Sequence, residues 1–135
     1  MADPSLVEFG WFRSHSGLRL PWKLNADALK DETIDGIAKI IRWKFVFGAV
    51  IGIPRGGLRL AAALKPHIEI EDGYPTLIVD DVLTTGKSME AARESPKDIG
   101  VVIFARGQVP DWIWPIFTVN EWAQSGTQCL LGAPA

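Results

Sequence analysis

The sequence predicts an α/β fold, with a mostly parallel twisted sheet, helices on its faces and a small extra segment at the amino-terminal end. Three observations carry that reading. Short continuous apolar runs recur at residues 48–53, 76–79 and 101–105, as in strands covered on both faces of a parallel sheet. Helical stretches with one apolar stripe lie between them. The first two runs each end in a short loop rich in glycine, charge or hydroxyls that opens a helix, and open parallel sheets bind ligands beyond the carboxyl ends of their strands.

Taken in order, residues 1–25 read as irregular. Phe9, Trp11, Phe12 and Trp22 cluster there, interrupted by Gly10, Gly17 and Pro21, with no clean period of 2 or 3.6. A helix follows, with Asp27 or Asp31 as a candidate cap and Ile34, Ile37, Ala38 and Ile41 at i, i+3, i+4, i+7. The run at 48–53 is a strand, broken by Pro54-Arg55-Gly56-Gly57. Residues 58–64 form a short helix ended by Lys65-Pro66. A strand is expected around 67–70 and another at 76–79, ending in Asp80-Asp81. After the turn at Thr84-Thr85-Gly86 comes a helix over about 87–94. Residues 101–105 and 112–119 complete the strands, the last rich in aromatic and β-branched residues.

The chain has 135 residues, enough for a single domain over 1–135, divided into a segment 1–25 and a core 26–135. Its composition, 47% hydrophobic and 22% charged, is that of a globular protein and argues against disorder. A formal charge of −2 marks no nucleic-acid surface. The single cysteine, Cys129, excludes a disulfide framework and fits a reducing compartment. No signal peptide and no membrane span are expected, so a cytoplasmic location follows.

Residues 77–88, Leu-Ile-Val-Asp-Asp-Val-Leu-Thr-Thr-Gly-Lys-Ser, hold the densest chemistry. A buried strand delivers Asp80 and Asp81 to its end, where the two carboxylates repel unless they face hydroxyls, a metal or a cation. The loop that follows opens a helix, so backbone N–H groups converge on one point, as a phosphate requires. Hydroxyls from Thr84, Thr85 and Ser88 add donors. Gly86-Lys87-Ser88 is not the tail of a P-loop, because position 81, where that motif needs glycine, is an aspartate.

This stretch resembles the phosphoribosyl pyrophosphate (PRPP) motif of type I phosphoribosyltransferases: an apolar strand, two acids, two apolar residues, Thr, a small residue, Gly, any residue, then Thr or Ser. The resemblance implies that Asp80 and Asp81 lie beside the ribose hydroxyls as catalytic residues and as direct or indirect magnesium ligands. It implies that Thr84, Thr85, Gly86, Lys87 and Ser88 hold the 5′-phosphate. Arg55, Gly56 and Gly57, after the preceding strand, look like the family's pyrophosphate loop, which implies a cis peptide at Pro54–Arg55. Phe9-Gly10-Trp11-Phe12-Arg13-Ser14-His15-Ser16-Gly17 is similar to the amino-terminal hood of orotate phosphoribosyltransferases, which implies a base contact from His15, the position where those enzymes commonly carry lysine. Residues 104–122 look like the end of xanthine–guanine enzymes, which implies base contacts from Arg106 and from Trp112 or Trp114.

The expected activity is therefore Mg2+-dependent transfer of the phosphoribosyl group of PRPP to a nucleobase, orotate first and a purine base second, in a homodimer that binds neither nucleic acid nor membrane. A non-catalytic PRPP- or nucleotide-binding regulatory protein is the alternative of another class. It draws on the eleven residues 65–75, which are acidic at Glu71 and Asp72 and leave little room for the lysine-bearing lid of the orotate enzymes.

Overall fold

A computed structural model describes residues 5–13 and 19–119. Strands β1 (Val7–Arg13) and β2 (Arg19–Leu24) form an antiparallel pair. A 3-10 turn at Ala26–Ala28 leads into α1 (Asp31–Lys44). Then come β3 (Ala49–Gly52), α2 (Leu58–Leu64), β4 (Thr76–Leu83), α3 (Lys87–Ala92), β5 (Ile99–Arg106) and β6 (Ile113–Val119). The last four strands make one parallel sheet in the order β3-β4-β5-β6. The predicted fold class is the one observed.

The two faces of the sheet are buried by different helices. On one face, Ile34, Ile37, Ala38 and Ile41 of α1 and Leu60, Ala61 and Leu64 of α2 pack with Leu77, Val79, Val101 and Ile103. The α1 stripe is thus the one its spacing predicts. On the other face, Met89 of α3 joins Ile78, Leu83, Val102 and Ile113. Arg59 ties α2 to the start of α1, donating to Leu29 O at 2.7 Å and to Asp31 Oδ1 at 3.0 Å.

Several local expectations are corrected. Residues 7–13 and 19–24 are not irregular but form a hairpin; a register shift between Phe9 and Phe12 breaks the alternation that would have revealed it. Neither Asp27 nor Asp31 caps α1, because Lys30 occupies the cap position and Asp31 is already the first helical residue, where its charge favours the positive helix end. β3 is a sheet edge, not a doubly covered strand, so Ile51 stays 39% exposed. Residues 67–70 are not a strand: a 3-10 turn at Lys65–His67 is followed by irregular chain in which Ile70 is 91% exposed.

That irregular stretch has a fixed place. Glu69 N donates to Phe47 O at 2.8 Å, and Gly48 N donates to Pro75 O at 2.9 Å. Phe47 and Gly48 precede β3, so residues 69–75 are tied to the amino-terminal edge of the sheet. The loops that begin at Ile53 and Leu83 leave from the opposite, carboxyl edge.

Candidate active site

Two loops meet at the carboxyl edge. The first follows β3. Ile53 N extends the ladder to Val79 O at 2.9 Å, Gly57 N turns back to Ile53 O at 2.8 Å, and Ala61 N donates to Gly57 O as α2 begins. The Pro54–Arg55 peptide is cis, as the resemblance implies. Gly57 has φ −82°, which any residue adopts; it must be glycine because a Cβ there would run into Val79 O and lie 2.8 Å from Ile53 N. Gly56 has the same need for a different reason: its Cβ position is filled by the Asp81 carboxylate. Arg55 is exposed on the same turn.

The second loop follows β4. Asp80, Val82, Leu83, Thr84, Thr85, Gly86, Lys87, Ser88 and Met89 line a cavity of about 150 Å³, large enough for an anion well beyond the size of a water. Gly86 caps α3 in the left-handed region at φ 79°, ψ 4°, and its open surroundings (Leu83 Cδ1 at 3.4 Å) show that conformation, not space, selects glycine here. Thr85 Oγ1 accepts from Lys87 N at 3.5 Å, so the hydroxyl already faces the turn.

The acids are arranged unequally. Asp81 N donates to Asp80 Oδ1 at 2.8 Å, and Val82 N donates to Asp81 Oδ1 at 2.7 Å. Burial pushes the Asp80 carboxyl from 3.8 up to about 7; a hydrogen bond that its protonated form donates to the Asp81 carboxylate and the Asp81 charge add to the rise, against the lowering by the Asp81 N–H. Asp80 can therefore hold a proton near neutral pH.

The structure brings Arg55, Gly56, Gly57, Asp80, Asp81, Thr84, Thr85, Gly86, Lys87 and Ser88 together. Val82, Leu83 and Met89, apolar members of the same cavity, were not singled out from sequence, although Val82 and Leu83 fall within the motif. Arg106 is buried at the carboxyl end of β5, paired in register with Val119. Trp112 is a correction. It precedes β6 at the amino-terminal edge, where its Nε1 donates to Glu90 Oε2 at 2.6 Å and its ring lies 4.6 Å from the Arg93 guanidinium. The base-stacking role is withdrawn for it. Trp114 is likewise engaged, edge-to-face with Phe45 at 5.2 Å. The aromatic that β6 carries to the carboxyl half of the sheet is Phe117, stacked on Phe104 at 5.6 Å and 51% exposed. His15 and Trp122 lie outside the described residues.

A buried parallel sheet whose first two strands end in a glycine loop and an acid–hydroxyl loop, joined where Gly56 meets Asp81, defines a type I phosphoribosyltransferase domain. No protein-family model matches the chain. It is 33% identical over 141 residues to an orotate phosphoribosyltransferase of Pyrobaculum aerophilum, covering 80% of this chain and 73% of that one. It is 25% identical over 130 residues to the orotate phosphoribosyltransferase of Pyrobaculum islandicum, spanning 73% of this chain and 65% of that relative's length. The solved orotate phosphoribosyltransferase of Aeropyrum pernix shares the fold, with a TM-score of 0.63 at 23% identity over 84% of this chain and 88% of that one. The chain belongs to the orotate phosphoribosyltransferase family, a family of enzymes. Among the described residues, no helix is long and apolar enough to cross a membrane.

Proposed function

We propose that the protein transfers the phosphoribosyl group of PRPP to a ring nitrogen of orotate and releases pyrophosphate. The observation that carries this reading is the meeting of the two loops, with Gly56 seated on Asp81 beside a cavity lined by Asp80, Thr84, Thr85 and Ser88. The bond from the ribose carbon to pyrophosphate breaks, a bond from that carbon to the base nitrogen forms, and the proton that nitrogen carried is released to solvent. The backbone and hydroxyls of residues 84–88 hold the 5′-phosphate, and the turn at residues 55–57 presents N–H groups and the Arg55 charge to pyrophosphate. Asp80 accepts from the ribose hydroxyls and stabilises the positive charge that develops on the sugar. The hairpin β1–β2 serves as the hood, Arg106 remains the candidate base contact from the core, and the active form is a homodimer.

The donor set suits magnesium. Among the described residues no group of three or more His, Cys, Asp or Glu converges, so an ion would be held by Asp80, the acid that lines the cavity, together with oxygens of the substrate, the usual habit of this cation. The raised Asp80 carboxyl is a group that a dication would favour in its charged form. When bound, magnesium neutralises charge on the departing pyrophosphate.

Pyrophosphate release measured with PRPP and a panel of orotate, hypoxanthine, guanine and xanthine tests the reading. Orotate is expected to support turnover at least tenfold above the purines; turnover on a purine base alone would overturn the choice of substrate. One observation favours a second reading. Residues 69–75 are tied to the far edge of the sheet, where they cannot cover the site. Tight PRPP binding without turnover on any base would identify a binding protein instead. In either reading, Thr85→Pro removes an N–H from the phosphate loop and is expected to weaken ribose 5-phosphate binding at least tenfold by calorimetry.

A further inference from the structure

The two acids at the end of β4 are neighbours in sequence, but they face different parts of the site. Asp80 lines the phosphate cavity and Asp81 does not. The Asp81 carboxylate is held by Val82 N at 2.7 Å and lies where a Gly56 side chain would be; the three heavy atoms nearest that position are all its own. The ends of the pyrophosphate turn are already pinned, Ile53 N to Val79 O at 2.9 Å and Gly57 N to Ile53 O at 2.8 Å. Its exposed middle rests on Asp81. A close-packed contact of this kind leaves no slack, because neither a Cβ nor a water fits between the partners.

We propose that Asp81 is the positioning residue of the pyrophosphate arm: its carboxylate, packed against Gly56, sets the place of residues 55–57 relative to the phosphate cavity. The inference rests on the phosphoribosyl-transfer reading and divides the acidic pair into a residue that meets the sugar, Asp80, and a residue that braces a loop. It makes the shape of Asp81 matter more than its charge for pyrophosphate binding. It also makes Gly56 and Asp81 a coupled pair.

The test is calorimetric titration of the full chain with magnesium pyrophosphate and, separately, with ribose 5-phosphate. Wild type is expected to bind both. Asp81→Asn, which keeps the shape, should stay within about threefold of wild type for pyrophosphate, and Asp81→Ala should bind it at least tenfold more weakly. Gly56→Ala should also lose at least tenfold, and the double variant Gly56→Ala/Asp81→Ala should bind pyrophosphate more tightly than Gly56→Ala alone, because the added methyl then has room. Ribose 5-phosphate affinity should remain within about threefold throughout, which also reports that each variant is folded. Additive losses in the double variant, or Asp81→Asn weakening pyrophosphate binding as much as Asp81→Ala does, would overturn the brace and leave the phosphoribosyl-transfer reading standing. Wild type that binds neither ligand would overturn both.

Discussion

Asp80→Asn is expected to lower kcat/KM for PRPP by about 10²–10³ and to make the protein more stable above neutral pH. The activity loss follows from the geometry. Asp80 is the acid that lines the phosphate cavity, and its negative charge is worth most where cationic character develops on the sugar, in a partly desolvated site. A loss of that size corresponds to about 3–4 kcal/mol of transition-state stabilisation. The stability gain follows from the same desolvation. The Asp80 carboxyl titrates near 3.8 in the unfolded chain and near 7 in the ligand-free fold. Between those values the folded state holds more protons than the unfolded one, so stability falls as pH rises from about 4 to about 7 and then levels off. Asparagine has no proton to lose. The variant's advantage therefore opens as pH rises from about 4 to about 7 and is complete above that, reaching about 1–2 kcal/mol once solvent screening of a partly exposed carboxylate is allowed for. Steady-state assays and thermal melts at pH 5.5 and pH 8.5 check both halves. A variant no more stable than wild type at pH 8.5 would show that burial does not destabilise the charged form.

The same balance explains which parts of the molecule were legible from sequence. The stretch 77–88 could be read because its functions are local: acids, hydroxyls and the left-handed Gly86 follow one another within a strand, a turn and a helix start. The α1 stripe could be read for the same reason, since Ile34, Ile37, Ala38 and Ile41 repeat at the helical period. What failed was non-local. Trp112 stands only six positions after Arg106, yet the chain crosses the sheet between them, because a strand parallel to β5 has to start at the opposite edge. Proximity in sequence is not proximity in space across a parallel strand pair. The hairpin β1–β2 was hidden by its register shift. The contact of Gly56 with Asp81 joins the ends of two separate strands, and no local pattern announces it. The division of Asp80 from Asp81 was invisible too, because strand alternation says that neighbours diverge but not what each one meets.

Phe47→Ala should show the reverse pattern, a large loss of stability with the site chemistry retained. Phe47 is fully buried in the cluster shared by α1, α2 and the sheet. Truncating a phenylalanine there removes its transfer free energy and leaves a void, about 3–5 kcal/mol together. For a chain of this length that lowers the melting midpoint by roughly 10–20 °C. The residue also acts through its backbone, since Phe47 O accepts from Glu69 N at 2.8 Å and so secures residues 69–75 at the amino-terminal edge. A collapsing cavity at Phe47 should therefore loosen that segment first, which hydrogen exchange at Glu69 would report as faster exchange than at Ile78 or Val102. The phosphate cavity and the pyrophosphate turn stand at the other edge of the sheet, and none of their lining residues is Phe47. Ribose 5-phosphate affinity, measured well below the lowered midpoint, should stay within about threefold of wild type. Equal losses of stability and of ligand affinity would mean that the two edges are not independent, and that strain at the amino-terminal edge is carried along β3 and β4 to the loops that hold the substrate.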